Sequence, residues 1–201
     1  MSSLTAADGR FSLGRATLAD RLISRSVLTD VMLVAGGAAF TGLLAQIAVP
    51  LWPVPITGQT LAVLLVGSTL GALRGVLSLT LYAVLGVVGV PWFSEATSGW
   101  QVVAGPTGGY IIGFIVAAGL TGWMAQRSWD RKVLGALAAF ATGTLVTFAI
   151  GLPWLAASLG LNLEQTLQAG LYPFIVGGIV KTLLAAGIIP AAWKLTDRLP
   201  K

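Results

Sequence analysis

The chain of 201 residues holds twelve lysines and arginines, and only Lys181 stands inside a long apolar run. Leu171 to Trp193 is long enough to cross a bilayer, and a helix rising ~1.5 Å per residue puts Lys181 about 15 Å from either end of a ~30 Å hydrocarbon layer. A cation left there costs roughly 2.5 to 3.5 kcal/mol even on the lenient insertion scale, so it is expected to face protein and meet a partner. Its ammonium offers three donors and no acceptor, which suits an oxygen of a bound solute. The competing reading is structural: backbone carbonyls satisfy the lysine, or it snorkels to the interface.

Little else in the chain has catalytic chemistry. Histidine and cysteine are absent, which excludes disulfides, thiol chemistry and the usual imidazole or thiolate metal sites. Outside the segments assigned to the cytoplasm the acids are Glu95 and Glu164, too few for an acid–base pair or a nucleophile with its base. No enzyme, cofactor or metal is expected. Gly177-Gly-Ile-Val-Lys-Thr182 looks like a phosphate loop but lacks the glycine directly before the lysine. Gly105-Pro-Thr-Gly-Gly-Tyr110 has no strand before it and reads as a tight turn opening a helix, with Thr107 and backbone N–H groups free to bond a ligand.

The elements that must position these residues are membrane spans. Hydrophobic residues make up 56% of the chain and charged ones 9%, far below the roughly 25% charged usual in soluble domains, and mean hydropathy is +0.88. Six apolar stretches run from Val31 to Val49, Gln59 to Leu73, Gly75 to Val90, Thr107 to Met124, Val133 to Leu152 and Leu171 to Trp193. Arg10, Arg15, Arg21, Arg25, Arg74, Arg127, Arg131, Lys132, Lys194, Arg198 and Lys201 all flank one side of them, and the opposite loops hold no lysine or arginine. The positive-inside rule then makes both termini cytoplasmic. The expected fold is an all-α membrane protein of six transmembrane helices, residues 31–196, between a basic tail (1–30) and a short tail (197–201). With no aromatic interleaving of its basic residues, the chain has no nucleic-acid character.

The tail has no apolar core before a small-residue cleavage site, so it is not read as a signal peptide. Phe11, Leu18, Leu22, Ile23 and Val27 share part of a helical face that suits the anionic leaflet, unless the tail is only a disordered anchor. Thr29 and Asp30 suit the N-cap of the first span. The second and third spans are short, about 22 to 24 Å as helix. Beside them lie Pro50 to Gly58 and Pro91 to Pro106, apolar yet rich in proline and glycine. Non-helical backbone at membrane depth is tolerated where protein buries it or it lines a cavity, so these outer loops are read as re-entrant-like and roofing a pocket; as ordinary interfacial loops they would supply an aromatic belt. Ala35-Gly-Gly-Ala-Ala39, continued by Gly42 and Ala45, gives the first span a small-residue face for close packing against a helix of this chain or of another protein.

Four motifs carry a family resemblance: Val54-Pro-Ile-Thr-Gly-Gln-Thr-Leu-Ala-Val-Leu-Leu65; Gly75 through Tyr82 to Gly-Val-Pro-Trp-Phe93; Gly105-Pro-Thr-Gly-Gly-Tyr110; and Pro173-Phe-Ile-Val-Gly-Gly-Ile-Val-Lys181. Together, and in this order over about residues 30 to 196, they resemble the BioY family, the biotin-specific substrate-binding (S) component of energy-coupling factor transporters. The resemblance implies a six-helix protein of the cell membrane that captures biotin at the outer face. It also implies partners, a transmembrane coupling protein and two cytoplasmic ATPases, with Ala35 and Ala39 meeting the coupling protein.

Biotin has an apolar ring system, a ureido group that needs donors and acceptors, and a carboxylate. Lys181 serves the ureido oxygen or the carboxylate; Gln59, Thr107 and the Gly108 and Gly109 amides are further polar contacts, and Tyr82, Trp92, Tyr110 and Trp154 are apolar walls. One departure matters, because family members commonly carry an aspartate where this chain has Gly178. Either another acceptor, such as Glu95 or a backbone carbonyl, takes the ureido N–H groups, or affinity or specificity differs. Two other readings are a stand-alone secondary transporter or facilitator and a passive channel. The spans hold no acid for a coupling-ion site and only scattered Ser and Thr for a pore, so transport driven by partners is preferred.

Overall fold

In the computed structural model the described residues are 16–198, so Arg10, Phe11, Arg15 and Lys201 lie outside them. The first described elements are α1 (Leu18–Leu22) and α2 (Val27–Ala45), followed by the short antiparallel strands β1 (Ala48–Val49) and β2 (Ile56–Thr57). Then come α3 (Gln59–Leu70), α4 (Ala72–Val87), α5 (Trp100–Ala104), α6 (Gly108–Ala125), α7 (Val133–Leu159), α8 (Leu163–Gly170) and α9 (Tyr172–Thr196). Among the described residues four helices, α2, α6, α7 and α9, are long and apolar enough to cross a membrane; α3 and α4 are apolar but only 12 and 16 residues long. Exposed Leu43, Leu145, Val176 and Leu183 on the long helices form the kind of apolar exterior that a water-soluble monomer avoids.

α6 is the central post. It is 67% buried, against 22% to 28% for the other three long helices, and it packs on α3, α4 and α7. Gly71 makes the reversal between α3 and α4 in a single residue. Its φ of +88° is a left-handed-side conformation open to glycine, and a Cβ there would stand 2.8 Å from the Thr17 methyl.

Helix ends differ from the sequence expectation where capping chemistry overrides apolar pattern. The first long helix starts at Val27, because the Ser26 hydroxyl accepts the Thr29 amide at 3.0 Å, so Thr29 and Asp30 occupy the first turn instead of the cap. α7 continues through Pro153 to Leu159 and stops where Gly160 turns left-handed at φ +66°. Proline removes one helical hydrogen bond without ending the helix, and buried Leu155 anchors the extension.

The segment before α2 is built into the bundle. Thr17 caps α1 with a reciprocal box to Asp20, and Leu18 is buried in a cluster with Leu64, Met124, Phe140 and Trp193. Leu18 therefore does not share a leaflet-facing surface with the exposed Leu22, Ile23 and Val27. Asp20 is held by Arg25 (2.9 Å) and Arg74 (2.8 Å), and Arg74 also reaches Asp30. Burial alone raises the Asp20 pKa, but these partners, with the Thr17 amide, hold the carboxyl well below the usual carboxylate range. Arg21 pairs with Asp197 at 3.5 Å, which brings the two ends of the described chain together.

Candidate ligand-binding site

At the other end of the bundle, residues 54–60 and 93–107 close over a cavity of about 170 Å³. Helical spacing explains which side chains reach it. Thr107, Tyr110, Ile111 and Phe114 lie along one face of α6 and its cap; Thr144, Thr147 and Phe148 along one face of α7; Phe174, Gly178 and Lys181 along one face of α9. Tyr110, Phe148 and Phe174 form an aromatic trio with centroids 6.0 to 6.4 Å apart, and the Tyr110 hydroxyl donates to the Gly170 carbonyl at 2.9 Å.

The polar side of the cavity is a connected chain. Lys181 Nζ donates to the Thr57 carbonyl and, at 3.1 Å, to Thr60 Oγ1. Two of its three donors are thus placed on protein, which leaves one for a solute. Thr57 Oγ1 donates to Gln59 Oε1 at 2.7 Å, and Gln59 Nε2 donates to the Tyr82 hydroxyl at 2.6 Å. Trp92 Nε1 in turn donates to the Tyr82 carbonyl at 2.9 Å. The carbonyl at the end of β2 and a hydroxyl in the first turn of α3 thus hold the ammonium, as the structural reading of Lys181 expects, while the lysine also lines the cavity.

Of the residues expected from sequence, Lys181, Gln59, Thr107 and Tyr110 line the cavity. Tyr82 and Trp92 stand one layer behind, bracing Gln59 and the Phe93 ring. Gly108 and Gly109 are buried against Val103 and Trp154, and Trp154 itself bonds the Gly105 carbonyl at 2.9 Å, so these three secure the turn beside the cavity rather than line it. Phe93, Phe114, Phe148, Phe174, Thr60 and Thr144 line it without having been singled out by sequence. On α2 the small-residue run divides: Gly37, Ala38, Gly42 and Ala45 face inward, whereas Ala35 and Ala39 are exposed. Gly42 and Ala45 thus belong to packing within the chain, with Gly42 against the Trp92 ring.

An all-helical membrane protein with an aromatic, solute-sized cavity carrying one lysine and a set of hydroxyls and amides is a solute-binding membrane component. Residues 15–198 match the BioY family, and the chain belongs to that family. It is 36% identical over 157 residues to "Biotin transporter BioY2" of Lactococcus lactis, covering 78% of this chain and 86% of that protein. It is 40% identical over 156 residues to "Probable biotin transporter BioY" of Pyrococcus horikoshii, covering 78% and 91%. Among solved structures it resembles the S-component for biotin from an ECF-type ABC transporter, with a TM-score of 0.74 and 25% identity over 83% of this chain and 92% of that one.

Proposed function

We propose that this chain captures biotin at the plasma membrane as the substrate-binding component of an ATP-driven energy-coupling factor transporter. The observation that carries the reading is the cavity itself, in which Lys181 keeps one donor beyond those given to Thr57 and Thr60 while an aromatic trio offers an apolar surface. A solute with an apolar ring system and polar ends fits that division. Gln59 and Thr107 supply polar contacts and Tyr110 an apolar wall. Tyr82, Trp92, Gly108, Gly109 and Trp154 act from the second layer by fixing Gln59, Phe93 and the turn before α6. The chain binds and does no bond chemistry; energy comes from two cytoplasmic ATPases through a transmembrane coupling protein, which meets Ala35 and Ala39.

In this reading α3 and α4 also cross, giving six spans with cytoplasmic termini, and residues 50–58 and 91–106 dip into the outer leaflet as re-entrant-like loops. Single cysteines at Ser98 and Ser158 then react with an impermeant thiol reagent from outside intact cells, and one at Ser128 does not; outside labelling at residue 128 overturns the topology. The functional reading is tested by calorimetric titration of the detergent-purified chain with a panel of vitamins, beside copurification of its partners from native membranes. Biotin is expected to bind selectively, and a coupling protein with two ATPases to copurify. No biotin binding overturns the ligand, and biotin uptake by the chain alone overturns the dependence on partners.

A further inference from the structure

The loop from Phe93 to Thr97 has features that the binding roles above leave unused. Glu95 and Ala96 adopt φ of 58° and 54°, a left-handed conformation that side-chain-bearing residues rarely take and that is held only where surroundings enforce it. The enforcement is visible. Gln46 at the end of α2 accepts the Ala96 amide at 3.0 Å and donates to the Trp92 and Phe93 carbonyls at 3.1 Å, while Thr97 closes the turn onto the Ser94 carbonyl at 2.8 Å. This brace sets Ser94 and Glu95 in the cavity lining.

Two observations point to a ligand there. The Ser94 hydroxyl is buried and has no hydrogen-bond partner among the described residues, an arrangement that a bound polar group would relieve. Among the described residues, Glu95 and Lys181 are the only charged side chains that line the cavity, and no ion pair joins them. The lysine brings donors alone; the carboxylate brings the strongest acceptor available. We infer that Ser94 and Glu95 hold the N–H donor end of the solute and set specificity for it, which on the reading above is the pair of ureido N–H groups of biotin. Opposite charges kept apart in one cavity select a solute with separated donor and acceptor groups over a purely apolar one.

Gly178 supplies an internal check. It also lines the cavity, and a Cβ added there would meet nothing nearer than Thr144 Cγ2 at 4.0 Å, so a side chain at 178 enters open space. An acid moved from 95 to 178 has room to serve the same donors.

The test titrates the full-length purified chain with biotin and with biotin methylated on a ureido nitrogen, in the parent, Glu95→Gln, Glu95→Gly and Glu95→Gly/Gly178→Asp. Both single variants are expected to weaken biotin by about ten- to a hundredfold, the loss of one charge-assisted bond, and to weaken the methylated ligand much less. The double variant is expected to regain at least part of the loss for biotin. Glu95→Gly relieves the left-handed backbone, so its melting temperature is expected at or above the parent's; a fall refutes the account of the braced loop. If the parent binds biotin and both single variants bind it unchanged, or lose both ligands equally, Glu95 is not the N–H acceptor and the wider reading stands. If the parent itself fails to bind biotin, that reading falls and this inference with it.

Discussion

Replacing Lys181 with methionine separates a binding lysine from a structural one, and the hydrogen bonds at its tip set the magnitudes. The side chain keeps its length and flexibility but loses the charge and three donors. Two of those donors rest on the Thr57 carbonyl and Thr60 Oγ1, and a hydrogen bond to a charged group contributes about 1.5 to 3 kcal/mol. Against this, removing the cation relieves about 2.5 to 3.5 kcal/mol of cost for charge within the membrane. The two bonds together contribute about 3 to 6 kcal/mol, so the terms cancel in large part and the melting temperature of Lys181→Met is expected at or modestly below the parent's. The third donor has no such offset: losing it costs about 1.5 to 3 kcal/mol of binding, or roughly ten- to a hundredfold in biotin affinity. Thr60→Val is the control, because it removes one protein acceptor while leaving the ammonium in place, and its affinity is expected within a few-fold of the parent's. Calorimetric titration beside thermal unfolding decides. A well-folded Lys181→Met with unchanged affinity, or a Thr60→Val that loses as much as Lys181→Met, refutes the assignment of the third donor to the solute.

Ala35→Leu and Ala39→Leu are expected to abolish uptake while the purified chain still binds biotin, since both positions are exposed and lie away from the cavity; loss of binding together with uptake refutes their role in partner docking. Gly86→Ala puts a Cβ 2.1 Å from the Phe93 ring, so the ring must move or the helix shift, at about 1 to 3 kcal/mol of overpacking; biotin affinity should fall with stability, because Phe93 lines the cavity, and an unaltered affinity refutes the link. Asp130, 1% exposed between α6 and α7, accepts Trp193 Nε1 at 2.7 Å. Its burial pushes the carboxyl above the ordinary value of 3.8, against the pull of Trp193, its own backbone N–H, Arg131 and Ser68. A raised native pKa means that the folded state takes up the proton first, so this group adds stability as pH falls toward the carboxylate range and withdraws it as pH rises through the native pKa. Thermal unfolding of Asp130→Asn beside the parent should show this increment at mildly acid pH in the parent alone; the same pH profile in both refutes it.

The class of fold was legible because composition and the order of apolar stretches are read residue by residue. The described segment before α2 was not. Asp20 meets Arg74 across 54 positions of sequence, and nothing local in either residue announces a tertiary ion pair. Leu18 looked like a membrane-surface residue because its helical spacing from Leu22 suggested one shared face, whereas the capping box at Thr17 starts a five-residue helix whose first turn is buried against the bundle. Likewise Ser26 caps α2 without any change of hydropathy that would have marked it.

Within the site, legibility followed polarity. Lys181, Gln59 and Thr107 stand out because each is a polar group in or beside an apolar stretch, and all three line the cavity. Phe148 and Phe174 line it too, yet in a helix that is apolar all round the hydrophobic pattern has no inward side to read. The polar residues supply that side after the fact: Phe174 stands seven positions before Lys181, and Phe148 stands one after Thr147 and four after Thr144, so each shares a face with a polar marker. Tyr82 and Trp92 fail the reverse test. Their size and polar tips suit a pocket wall as well as a buried brace, and it is the 2.6 Å bond from Gln59 to the Tyr82 hydroxyl, spanning 23 positions, that makes Tyr82 a brace. The same reasoning divides α2, where Ala38 and Ala39 are chemically identical neighbours. One is fully buried beside the α4 packing face and the other exposed, a distinction set by the direction of the neighbouring helix and absent from the residues themselves.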